Sequence, residues 1–214
     1  MEELLKQYLN LFWLRPENAL FNTFKSISYN SLKFQSPSLD LSCGDGLFQA
    51  IHLGAKFFED FDYYSSTRAS EFSHDNFIDI YDHHEPDYNI KYLERPIQKI
   101  DFGTDWKQEL LNKAEKTEIF KKLVLHDNNV LPLPFNNDYF KTIYSNSIYW
   151  VNNIEDLIKE IFRISRTDAT VGLQVMSPSI FETFKFFEQN LSEKAISILD
   201  RQRRSTMPSL KTYK

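Results

Sequence analysis

The nine residues Ser38 to Gly46, S-L-D-L-S-C-G-D-G, constrain this chain more than any other stretch. A short apolar run passes into a turn holding two of the chain's five glycines, Gly44 and Gly46. Glycine tolerates positive φ and lets the backbone approach a ligand with no side chain in the way. Strand, Gly-x-Gly turn and helix together predict a backbone cradle at the carboxyl end of a strand. Alone the motif is short, and its meaning depends on what flanks it.

What flanks it alternates. Strands are expected at Pro37 to Leu41, Ile97 to Phe102, Leu123 to Leu125, Phe140 to Ser145 and Thr170 to Met176. Helical spacing of apolar residues lies between them, over Leu47 to Gly54, Lys107 to Lys116 and Ile154 to Phe162. The inner faces are expected to be Leu110, Leu111 and Ala114 in the second, and Leu157, Ile158, Ile161 and Phe162 in the third. Such alternation predicts right-handed crossovers and an α/β, Rossmann-like, doubly wound and mostly parallel sheet. Arg166 to Ala169 is the expected turn before the last strand, and the prolines of L-P-L-P-F make Leu131 to Phe135 a loop.

Two helices precede the sheet, over 2–14 and from Pro16 onward, the second with Leu20, Phe21, Phe24 and Ile27 at helical spacing. They read as packing elements on the core or as a lid over a cofactor, with packing the expectation. The span 54–98, rich in Phe, Tyr, Asp and His, has no sustained period and reads as an insertion. Residues 1–36 thus form an N-terminal helical segment, 37–176 the core and 177–214 a C-terminal helical segment patterned by Ile180, Phe184, Phe187 and Leu191.

A net charge of −5 gives no general attraction to phosphate backbones, so nucleic acid is excluded as a partner. The Arg201, Arg203, Arg204 cluster reads as a solvated helix face. One cysteine, Cys43, forms no internal disulfide and fits a reducing, cytoplasmic setting. No apolar run is long enough to span a membrane. Asp79, Asp82, His83, His84, Glu85 and Asp87 carry metal-ligand chemistry without metal-ligand spacing, so no metal is expected.

In an open parallel sheet, ligands bind beyond the carboxyl ends of the strands. Asp40 lies in the first strand, and Asp105 and Asp127 follow the second and third. An ionised carboxylate offers two acceptor oxygens, which suits the paired hydroxyls of a ribose at Asp105 and an exocyclic amine at Asp127 with Asn128. Trp106 can lie against an aromatic base.

These residues resemble the class I S-adenosylmethionine-dependent methyltransferases, in the branch called type 11. D-L-S-C-G-D-G is similar to the family's acid-x-Gly-x-Gly-x-Gly motif, and D-F-G-T-D-W to its second-strand acid. H-D-N-N-V-L-P-L-P-F-N-N-D-Y-F-K-T-I-Y-S-N-S-I-Y-W-V, running into E-I-F-R-I, is the most specific part. The resemblance implies S-adenosyl-L-methionine as cofactor and methyl transfer to a small-molecule or biosynthetic-intermediate acceptor. It places Gly44 and Gly46 beside the methionine part with Asp40 and Cys43. It sets Asp105 at the ribose, Trp106 on the adenine face, Asp127 and Asn128 at the adenine edge, and Ser145 and Asn146 toward the sulfonium and acceptor.

The chain departs from the pattern in places. Ser42 stands for the first glycine, Lys141 for a common Asp, and R-T-D-A for a Pro-Gly-Gly turn; Trp150 lies close to where many members carry a His. No catalytic base is assigned; Tyr8, His52 and Tyr149 are candidates. The family's two terminal strands have no counterpart in the pattern, which means either a longer protein or a sheet edge covered by another subunit in a homo-oligomer. A non-catalytic cofactor-binding or interaction module with the same fold stays open as the alternative.

Overall fold

The computed structural model describes residues 1–13, 16–64, 89–148 and 151–175, together with Glu193. Tyr149, Trp150, the His83-His84 run, the arginine cluster and the C-terminal helical segment with its question of missing strands lie outside the described residues.

Five strands form one sheet: β1 (Ser38–Leu41), β4 (Ile100–Asp105), β5 (Phe120–Leu125), β6 (Phe140–Ser145) and β7 (Ser165–Leu173). Their spatial order is β5-β4-β1-β6-β7 and every pairing is parallel. The first strand is therefore central and the order reverses beside it, which is the doubly wound arrangement with its switch point between β1 and β6. In register, Asp40 lies between Gly103 of β4 and Tyr144 of β6.

Helices cover both faces because both faces of β1 are apolar or occluded, with all four of its residues buried. On one face, α5 (Ile154–Ile164) packs Leu157 and Ile161 on Leu39, Leu41 and Ile143. Asn153 caps α5, accepting from the Asp156 amide, and Glu155 and Asp156 sit in its positive first turn. On the other face, α1 (Glu2–Leu11), α2 (Pro16–Ser28) and α3 (Leu47–His52) share a core of Tyr8, Leu11, Ala19, Leu47, Phe48 and Tyr144. The helix α4 (Gln108–Lys116) buries Leu111 and Ala114.

Four local expectations are corrected. The second strand begins at Ile100; Ile97 is exposed, its amide spent on Leu53 O. Arg166 to Ala169 is strand, since Ser165 both closes α5 and opens β7 with no intervening turn. Phe162 faces solvent while Ile154 and Ile164 complete the inner face of α5. The insertion opens and closes on a two-stranded antiparallel pair, β2 (Lys56–Phe57) with β3 (Tyr92–Glu94), too short to show a period.

The larger correction is α2. Its apolar residues Leu20, Phe21, Phe24 and Ile27 are exposed, whereas Ala19, Asn22, Thr23 and Ser26 are buried. Small residues on the inner face let the helix lie close on α1, where Tyr8 Oη and Ser26 Oγ meet at 2.7 Å. The Thr23 hydroxyl donates to Ala19 O within the helix.

Candidate functional site

The turn after β1 is held from beneath by β4. Cys43 N donates to Thr104 O at 2.7 Å, Ser42 N to Thr104 Oγ1 at 3.3 Å, and Gly44 N to Asp105 Oδ2 at 3.0 Å. Positive φ occurs at Ser42 (65°), Gly44 (59°) and Gly46 (76°). The two glycines serve different ends. A Cβ on Gly46 would press on the Phe120 ring at 3.0 Å and on Thr117, whereas one on Gly44 would meet nothing within 4 Å. Gly46 makes room for packing; Gly44 faces open space.

That space is a cavity of about 760 Å³ at the carboxyl ends of β1, β4, β5 and β6. It is the size of a small-molecule site, for which about 300–1,000 Å³ is usual. Cys43, Gly44, Asp105, Trp106, Asp127, Asn128 and Asn146 all stand in its wall. Asp105 is buried, and its Oδ1 also accepts from Lys107 N at 3.0 Å. Burial raises its pKa, against the backbone amides of Lys107, Gly44 and Trp106 that hold it down. Asp105 thus braces the cradle and keeps lone pairs for a ligand. Trp106 is 63 % exposed, with Lys107 Nζ 5.2 Å from its ring centroid. Asn128 Nδ2 donates to Ser42 Oγ at 2.7 Å, which leaves its buried Oδ1 as an acceptor without a partner. Asp127 Oδ1 takes both the backbone and side-chain amides of Asn129.

Three expected residues lie behind the wall. Gly46 caps α3. Ser145, expected to face an acceptor, is fully buried and donates its hydroxyl to Leu41 O at 2.6 Å, so the sheet uses the group that the site was expected to use. Asp40 is 1 % exposed and neither of its oxygens has a well-aligned hydrogen bond. Burial lifts its pKa to about 8; the nearby Gln49 amide and Lys25 offset part of this, and Asp105 adds to it. Burial likewise pushes Cys43 well above its usual value, reinforced by Asp40, Asp105 and Asp45.

The residues missed by sequence reasoning come from α2 and from the turn. Asn18, Asn22 and Lys25, at spacings of four and three, line the cavity with Phe12 and Phe48. Lys25 Nζ lies 4.7 Å from the Phe48 ring centroid, and burial draws its pKa down to about 8, with Asp40 and Asp45 pulling the other way. Asp45 accepts from Leu47 N at 3.0 Å and from the Tyr63 hydroxyl at 2.9 Å, tying the start of the insertion to the cradle. The signal for α2 was present, since a polar stripe at helical spacing stood opposite the apolar one. Of the candidate bases, Tyr8 is bound to Ser26, its pKa raised by burial, and His52 stacks on Phe48, its pKa lowered by burial; neither lines the cavity.

No protein-family model matches the chain, and no curated protein matches it in sequence. Solved structures do overlay on it. A SAM-dependent methyltransferase of Thermotoga maritima aligns over 92 % of this chain and 78 % of its own at 13 % identity, TM-score 0.49. A methyltransferase of Haloferax volcanii, in complex with the Trm112 methyltransferase activator, aligns over 69 % and 50 % at 16 % identity, TM-score 0.40. The cyclase SpnF aligns over 74 % and 45 % at 14 % identity, TM-score 0.44. The chain spans about half the length of the last two. No helix among the described residues is long and apolar enough to cross a membrane. Strand order, and the Gly-containing turn at the head of the central strand, are those of a doubly wound, Rossmann-like parallel sheet, the fold that the sequence resemblance implies.

Proposed function

We propose that this chain binds S-adenosylmethionine in the cavity at the switch point and directs methyl transfer to a small-molecule acceptor in the cytoplasm. The observation that carries the reading is the pairing of an open Gly44 with Asp105, one carboxylate fixing the cradle backbone at 3.0 Å while standing in the same cavity wall. When bound, the cofactor supplies a methyl group activated on a sulfonium. The chain's own part is placement. Asp105 takes the ribose hydroxyls, Trp106 covers the adenine face, and the unpartnered Asn128 Oδ1 with Asp127 accepts from the adenine edge. Asp40 and Cys43 back the methionine part, with Gly46 holding the turn that carries Gly44. Asn22, Lys25 and Phe48 form the opposite wall, and holding the reactants in line is where most of the rate comes from. Asn146, in the wall at the end of β6, faces the acceptor; Ser145 positions that strand end through Leu41.

Calorimetry with S-adenosylhomocysteine and with NAD tests the reading. Micromolar-range binding of the first is expected, none of the second, and loss of the first in Asp105→Asn, which keeps one backbone contact and so the fold. Tight NAD binding without S-adenosylhomocysteine binding rejects it. Methyl transfer in a substrate screen separates the enzyme from a non-catalytic cofactor-binding module of the same fold.

A further inference from the structure

A helix at a protein surface normally turns its polar side to water. The helix α2 is inverted. Its exposed positions from Leu20 onward are Leu20, Phe21, Phe24, Ile27 and Ser28, with no charge among them, while Asn22 and Lys25 face inward. Single exposed apolar residues are ordinary, but a contiguous stripe of four marks a contact surface. We propose that this stripe is the interface with a second copy of the chain, two α2 helices packing antiparallel across a two-fold axis.

Area supports a second copy. The four side chains are 48 %, 63 %, 60 % and 44 % exposed. With Phe near 200 Å² and Leu or Ile somewhat less, they leave about 400 Å² of apolar surface open. Interfaces are about 60 % apolar, so a patch of this size corresponds to about 650 Å² per copy. The total, about 1,300 Å², lies at the lower end of stable specific interfaces. Charge supports it too. A symmetric contact sets each residue against the same surface of its mate, which costs nothing for a neutral stripe. The one exposed charge on the helix, Glu17, sits at its N-terminus. Antiparallel packing sets the two copies of Glu17 at opposite ends of a helix about 20 Å long, whereas parallel packing would bring them together. A lipid surface fits less well, because membrane-lying helices flank their apolar face with exposed cations; the only lysine of α2 is turned to the cavity.

Sedimentation velocity of the full chain, from about 1 to about 200 µM to span the weak affinity that such an area allows, tests the proposal. The wild type is expected to pass from monomer to dimer, and Phe21→Glu/Phe24→Glu to stay monomeric with unchanged far-UV circular dichroism. As a check that does not depend on that variant folding, oxidation of Phe24→Cys should give a covalent dimer where Glu17→Cys and the wild type, with Cys43 alone, do not. A wild type monomeric at the highest concentration overturns the proposal; that is the result expected if residues 177–214 cover the stripe instead. A double-Glu variant that is folded and still dimeric overturns it as well.

Discussion

Asp40→Asn is the substitution whose effect follows most directly from the site. Asp40 is 1 % exposed, has no well-aligned partner for either oxygen, and titrates at about 8 when folded against 3.8 when free. Its folded pKa is the higher one, so between 3.8 and about 8 the native state holds a proton that the unfolded chain has released. Stability is then greatest below the lower value and falls as pH rises through the window. At 1.36 kcal/mol per unit, keeping that proton costs about 4 kcal/mol at pH 7 and about 2 kcal/mol at pH 5. Asn has the same shape and no charge, and removes this cost. An unpartnered carboxamide brings its own penalty of about 1–3 kcal/mol, but at every pH alike. The diagnostic is therefore the change with pH, and the advantage of Asp40→Asn over wild type should grow by about 3 kcal/mol from pH 5 to pH 7. Urea unfolding followed by circular dichroism at the two pH values measures it. An advantage that is flat across this interval would refute the reasoning. Under the proposed function the same variant should bind S-adenosylhomocysteine more weakly, stability gained and affinity lost together.

The remaining expectations concern the turn. Gly46→Ala should cost about 2–3 kcal/mol in thermal or chemical unfolding, since positive φ with a Cβ costs about 1–2 kcal/mol and Phe120 must also yield. Gly44→Ala should cost only the conformational part, about 1–2 kcal/mol, yet abolish cofactor binding in calorimetry because its Cβ enters the cavity; equal stability losses in the two would contradict the division of roles. Ser42→Gly removes strain of about 1 kcal/mol and also a hydrogen bond to Asn128 worth about 1 kcal/mol, so stability should move by less than about 1 kcal/mol while cofactor affinity falls as the Asn128 amide loses its anchor.

The fold was legible because its signal is periodic and local. Five apolar runs alternating with helical spacing predict a parallel sheet, and the chain forms one. The cradle was legible because glycine is scarce enough for Gly44 and Gly46 to stand out. The turn at Arg166 to Ala169 was not, because R-T-D-A has turn chemistry and only the direct run from α5 into β7 removes the need for a turn. Ser145 misled for a related reason. A hydroxyl at a strand end suits a ligand or a neighbouring carbonyl equally well, and only the 2.6 Å contact with Leu41 O decides. The role of α2 was hidden by the rule that apolar stripes face inward, which holds when water is the alternative. Here the alternative to the core is a cavity that needs polar walls.

That inversion belongs with the placement of unpaired polar atoms. At Asp101 and Arg163 the chain meets its hydrogen-bonding needs closely: Asp101 accepts from Ser38 N, Ser38 Oγ and Lys121, and Arg163 donates to Glu160, Asn137 and the carbonyls of Leu133 and Phe135. Around the cavity it does not. Asp40, the Gln49 amide, Asn128 Oδ1, the Tyr144 hydroxyl and His126 Nε2 are buried without a well-aligned hydrogen bond. Each such group costs about 1–3 kcal/mol, and a sequence selected for stability alone would replace them. Asp40 and Tyr144 are paired across β1 and β6, Gln49 stands on α3, and His126 and Asn128 follow β5 in the cavity wall, beside a turn whose open Gly44 faces the same space; this is an arrangement that suits a polar ligand. Lys25 and Asn22 extend that preparation to the facing wall. A helix that turns those groups inward has only its apolar residues left to show outside, so the exposed stripe of α2 and the polar cavity are two consequences of one choice in the sequence.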